Sequence, residues 1–129
     1  MPNPATIAVA HGTPEVTSNF NPVDRTGNLT TFRGETTGPI VGAPRLFVSV
    51  KRPSASESNY KVKIRYESPI SVTDSEGVAR VVRTNRWNTE ISVHKDSTVA
   101  EIKELAEVAL AALSTTELKQ VVENLEGFF

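Results

Sequence analysis

Between Arg45 and Lys95 the apolar side chains of this chain recur at every second position, and beyond Asp96 they recur at every third or fourth. Period 2 puts one set of side chains on one face of a β-strand, and period 3.6 puts them on one stripe of a helix. A chain patterned this way must place long strands first and helices last. From Arg45 to Arg52, Leu46, Val48 and Val50 share one face, with Arg45, Phe47, Ser49 and Lys51 on the other. From Asn59 onward, Tyr60, Val62, Ile64 and Tyr66 alternate with Lys61, Lys63 and Arg65. A third run, Val81 to Val93, is expected to turn Trp87, Thr89, Ile91 and Val93 to the core and Val82, Thr84, Arg86, Asn88, Glu90 and Ser92 away from it. Pro53–Ser58 reads as a polar turn and Pro69–Gly77 as a loop, and Thr84-Asn85 is an alternative turn that would split the third run.

The segments on either side complete the pattern. Thr6–Ala10 predicts a short strand, His11–Pro14 a turn and Glu15–Phe20 the returning half of a hairpin. Asn21-Pro22 and Gly27-Asn28 read as breaks, Leu29–Arg33 as another strand, and Gly38–Gly42 as a turn-rich connection holding a very short strand. After Asp96, Thr98 and Glu101 have capping-box spacing, and Val99, Ile102, Leu105, Ala106, Ala109 and Leu113 follow at helical intervals. A second box, Ser114 to Glu117, predicts a new helix with Leu118, Val121, Val122 and Leu125 as its apolar stripe and Gly127 as its stop. Strands followed by two helices make an α+β fold with the helices on one face of an antiparallel sheet. At 129 residues this is a single domain, divided into an N-terminal hairpin (1–26), a sheet (27–95) and two helices (96–129).

Charge is distributed unevenly along the chain. The net charge is −1, yet residues 45–95 hold ten of the fourteen lysines and arginines, and residues 96–129 hold seven of the fifteen acids. The basic middle coincides with the alternating strands. If the helices cover the apolar face, Ser49, Lys51, Lys61, Lys63, Arg65, Arg86 and Asn88 share an open, basic face suited to a polyanion, with Phe47 available for stacking. Such a sheet ends in open edges, which pair with other strands unless blocked. Edge pairing and helix exchange therefore predict a dimer, with Val99, Ile102, Leu105, Ala109, Leu118, Val121, Val122 and Leu125 at its interface. The alternative is a monomer whose helices cover its own sheet.

Other classes find little support. The chain has no cysteine, so disulfides, thiolate metal sites and a cysteine nucleophile are excluded. His11 falls in a predicted turn and His94 at a strand end, and spacing places no carboxylate or nucleophile beside either. No phosphate-binding loop or metal-ligand spacing occurs, so neither an enzyme nor a cofactor, metal or small-molecule substrate is expected. With no signal-peptide pattern and no long apolar run, a soluble intracellular product without a membrane partner is expected.

The order and spacing of several segments resemble the coat proteins of single-stranded RNA bacteriophages, the levivirus group. The similarity spans nearly the whole chain. It is carried by Gly38-Pro39-Ile40-Val41-Gly42, by Arg45–Lys51 (RLFVSVK), by Tyr60–Ile64 (YKVKI), and by Arg86–Val93 (RWNTEISV) followed by two helices. The resemblance implies an N-terminal hairpin, a five-stranded sheet, and helices that clasp a partner in an intertwined dimer with a ten-stranded sheet. It further implies a virion protein, made in the bacterial host cytoplasm, whose dimers build an icosahedral shell around single-stranded RNA. Such a dimer binds a genomic hairpin as translational repressor and packaging signal. By strand position the RNA contacts carry over to Phe47, Ser49, Lys51, Lys61, Lys63, Arg86 and Asn88. Ser49, Lys51, Lys63 and Asn88 keep the chemical type of some relatives. Phe47 replaces a small polar residue, Lys61 replaces a hydroxyl, and Arg86 stands where some relatives stack an aromatic. Pro69, Asp74, Glu76 and Gly77 fall in a loop that makes contacts between dimers. A non-assembling dimeric RNA-binding regulator is the alternative function, and it would have no need of that loop.

Overall fold

The computed structural model describes residues 5–12, 14–36 and 38–125. Among these the chain forms a sheet unit that ends at Ser92 and a helical unit that begins at Val93. Six strands make one antiparallel sheet in sequence order: β1 (Ile7–His11), β2 (Val16–Thr26), β3 (Leu29–Gly34), β4 (Arg45–Lys51), β5 (Asn59–Thr73) and β6 (Ala79–His94). The predicted N-terminal hairpin is β1–β2, and β2 also pairs with β3, so the hairpin is continuous with the sheet. A meander of neighbours needs only short connections. Gly27-Asn28 supplies one of them, a two-residue turn between paired Thr26 and Leu29, with Gly27 at φ +58°.

Four expectations are corrected. Asn21-Pro22 does not end β2. The ladder shifts register between Pro22 and Asp24, and this bulge accommodates the proline without stopping the strand. The segment near Gly38–Gly42 holds a 3-10 turn, Ile40–Gly42, in place of a short strand. Pro69–Gly77 is not a long loop: β5 runs to Thr73, and a tight turn leads into β6, which is unbroken at Thr84-Asn85. Asp74 makes that turn, because its Oδ1 accepts the backbone N–H groups of Glu76 and Val78, both at 2.9 Å, while Gly77 takes φ +82°. Finally, Ser114 does not cap the second helix. It terminates the first, its hydroxyl donating to the Ala111 carbonyl at 3.0 Å, and Thr115 is the N-cap of the next.

The helices are α1 (Val99–Leu113) and α2 (Thr116–Asn124). Thr98 caps α1 as its sequence predicts, Oγ1 accepting the Glu101 N–H at 3.2 Å. α2 ends with Leu125 at φ 57°, and the expected stop at Gly127 lies outside the described residues.

Few side chains are buried. Phe20 and Phe32 are each 5% exposed and Ala43 is fully buried; among the described residues these three form the hydrophobic core. Tyr66 meets Phe20 edge to face, ring centroids 6.1 Å apart. Gly34 lies against them, because a β-carbon there would come within 2.6 Å of Pro44 and 3.2 Å of Phe20. The rest of the apolar face is open: Val9, Val50, Tyr60 and Tyr66 are exposed, and so is Trp87, which is 43% exposed although its alternation pointed to the core. On the same face Val9, His11, Ser18, Phe20, Pro44, Leu46 and Tyr66 surround a cavity of about 350 Å³. Neither helix buries any residue.

Candidate nucleic-acid interface

Cross-strand register assembles the polar face row by row. Lys51 stands opposite Lys61, Ser49 opposite Lys63, Phe47 opposite Arg65 and Arg45 opposite Glu67. On the other side of β4, Leu29 pairs with Ser49, Thr31 with Phe47 and Arg33 with Arg45. Residues two apart share a face, so these rows form one surface. β6 joins it through Asn59 Nδ2, which donates to Ser92 Oγ at 2.9 Å, and through Arg86 Nε, which donates to Glu67 Oε1 at 3.0 Å. Phe47, Ser49, Lys63, Arg65 and Asn88 line one open cavity of about 420 Å³ together with Leu29, Thr89 and Glu90. Lys51, Lys61 and Arg86, also singled out by sequence, do not line this cavity but lie on the same strands.

The arrangement is electrostatically mixed. Lys61 Nζ is 3.5 Å from Glu57, and Arg65 and Arg86 both meet Glu67. Among the described residues Lys51 and Lys63 have no acidic partner. The directly opposed like charges Lys51–Lys61 and Arg33–Arg45 disfavour the sheet on their own. Phe47 is half-buried, and the Arg65 guanidinium lies 4.4 Å from its ring centroid, so a cation already covers the aromatic surface expected to stack. Glu67 escaped the sequence reading. Its signal was the same alternation that marked Lys61, Lys63 and Arg65, extended by one more step.

The remaining predicted positions fall into two groups. In the helices, Val99, Ile102, Leu105, Ala109, Val122 and Leu125 are exposed, and Leu118 and Val121 are half-buried. Leu105 and Ala109 line a shallow groove on α1 with Val108 and Ala112. Of the inter-dimer set, Pro69 lies within β5, whereas Asp74, Glu76 and Gly77 form the tight turn. Both histidines do have neighbours that spacing did not reveal. The hairpin brings Ser18 Oγ to 2.6 Å from His11 Nε2, and His94 Nδ1 accepts the Asp96 N–H at 3.2 Å with the Asp96 carboxylate 3.7 Å away.

The profile of the Levivirus coat protein family matches residues 3–129. The chain belongs to that family. It is therefore a structural protein of the virion and not an enzyme. The capsid protein of Pseudomonas phage PP7 is 27% identical over 124 residues, covering 93% of this chain and 94% of that protein. The chain superimposes on the virus-like particle of Beihai levi-like virus 21 with a TM-score of 0.89 at 25% identity, covering 99% of both chains. The bacteriophage GA capsid protein shares the coat-protein fold, with a TM-score of 0.73 at 15% identity over 96% of each chain.

Proposed function

We propose that this coat protein acts as an intertwined dimer that assembles into an icosahedral shell. The polar face of its sheet binds single-stranded RNA, including a genomic hairpin whose capture represses translation and selects the genome for packaging. The observation that carries the RNA reading is the register of β4, β5 and β6. It gathers Lys51, Lys61, Lys63, Arg65 and Arg86 with the hydrogen-bonding Ser49 and Asn88 on one open face. Lysines and arginines there neutralise phosphates, and Ser49 and Asn88 supply donors and acceptors for bases and sugars. The dimer reading is supported by the exposed apolar stripes of α1 and α2, which need a partner surface, and by β6, a 16-residue strand at the sheet edge. A second copy that pairs edge to edge along β6 and lays its helices over the apolar sheet face would satisfy both. Shell formation is supported by the relatives, several of which form virus-like particles.

The test is expression of the full chain with and without Lys61→Glu and Lys63→Glu, followed by electron microscopy and the ratio of absorbance at 260 and 280 nm. The unaltered chain is expected to give uniform shells holding nuclease-protected RNA, and the reversed chain to hold markedly less. Equal RNA content in both would overturn the assignment of this face. A discrete dimer with no larger species, even with RNA added, would instead favour a non-assembling RNA-binding regulator.

A further inference from the structure

Glu67 is an acid on the basic face, at the last rung of the β4–β5 ladder. Its side chain is 16% exposed, against 46% for Arg65 and 54% for Arg86, and its Oε1 lies 3.3 Å from Arg65 Nε and 3.0 Å from Arg86 Nε. Arg45 stands opposite it in the ladder. One carboxylate oxygen thus occupies the position between two guanidiniums where a phosphate oxygen would otherwise bind. The contact is intramolecular and the carboxylate is mostly covered, although both arginines are about half exposed, so a phosphodiester must compete with an anion that never diffuses away. Both of these contacts are made through Nε, and the Arg65 guanidinium carbon also lies 4.4 Å from the Phe47 ring centroid. That geometry favours planar, directional partners over a bare point charge.

We propose that Glu67 withholds Arg65 and Arg86 from indiscriminate phosphate binding, so that Lys51 and Lys63 supply the sequence-independent attraction and the arginine pair answers only to RNA that also presents a base. The inference rests on reading this face as the RNA surface. It adds a residue that sets selectivity, and that residue acts by opposing RNA.

The experiment uses full-length protein freed of nucleic acid, kept dilute enough not to form shells, and titrated over a salt series with a fluorescein-labelled abasic oligonucleotide, which presents phosphates and no bases. Glu67→Gln keeps the shape and removes the charge. It is expected to tighten binding several-fold at low salt and to steepen the salt dependence by about 0.7 to 1.4 in log–log slope, the effect of one or two more neutralised phosphates. Arg65→Gln or Arg86→Gln in the Glu67→Gln background should cancel that gain. An independent measurement needs no change at Glu67: Arg86→Gln alone should lower the slope by clearly less than Lys63→Gln, which should lower it by about 0.7. If Glu67→Gln leaves affinity and slope as they were, or if Arg86→Gln lowers the slope as much as Lys63→Gln, the withholding role is wrong while the RNA face stands. If the unaltered protein shows no salt-sensitive binding and Lys61→Glu with Lys63→Glu changes nothing, the RNA face itself is wrong and the inference falls with it.

Discussion

The sheet and the helices of this coat protein are both amphipathic, yet they satisfy themselves in different ways. Each inner strand of the sheet is hydrogen-bonded to two neighbours, and Phe20, Phe32, Ala43 and Tyr66 pack at one end. In the helical unit the backbone is satisfied within each helix, Thr98 and Ser114 close the ends of α1, and no side chain is buried. Short helices derive most of their stability from packing an apolar face, since their own hydrogen bonds barely offset the entropy of ordering them. A strand meander can therefore hold its shape with little core, whereas Ile102, Leu105, Val108 and Leu113, each at least 41% exposed, mark a helical surface that the single chain leaves without packing.

The comparison can be broken most severely at the helices. Leu105→Asp puts a charge on the exposed apolar stripe of α1, and two copies per dimer lose the burial of a leucine each, about 2 kcal/mol apiece before the cost of burying the charge. The expected outcome is loss of the dimer and of soluble shells by size-exclusion chromatography with light scattering; shells at wild-type yield would show that this stripe covers nothing. A smaller effect is expected within the sheet. Gly34→Ala forces a methyl group against Pro44 and Phe20, and overpacking of this kind costs about 1–3 kcal/mol, read as a lower urea midpoint with dimerisation intact. Smallest is Thr98→Ala, which removes the cap of α1 and should cost about 1 kcal/mol, measured as a drop in thermal midpoint without change in RNA content.

Much of this division was legible in the residues themselves. The alternation of Leu46, Val48 and Val50 with Phe47, Ser49 and Lys51 gave β4 and both of its faces, and the change of period at Asp96 gave the boundary before the helices. Proline misled the reading twice, at Pro22 and Pro69. In both places it was taken to end a strand, because its missing N–H is a local fact, whereas the bulge or ladder position that tolerates it depends on a partner strand. The capping-box spacing pointed to Ser114, but the N-cap is Thr115, which makes no side-chain capping bond, because the Ser114 hydroxyl turns back to the Ala111 carbonyl at the end of α1. In the site, parity placed Lys51, Lys61, Lys63, Arg65 and Arg86 on one face, in agreement with the β4–β5 register and the Arg86–Glu67 contact. What it could not supply was the pairing among them: that Glu67 serves both Arg65 and Arg86, or that Arg65 lies on Phe47, follows from register between strands distant in sequence.

The long β5–β6 hairpin has a mechanical consequence. β4 pairs with β5 only as far as Glu67, and the 3-10 turn Ile40–Gly42 then lies against β5 at Ser71, so the end of β5 and the opening residues of β6 run on as a short two-stranded ribbon. A ribbon of two strands twists more freely than a wide sheet, while its turn stays tied by the Asp74 carboxylate. The chain thus carries a compliant arm with a stiff tip. A load applied at the tip is therefore taken up by flexing of the arm, and the rest of the sheet need not deform.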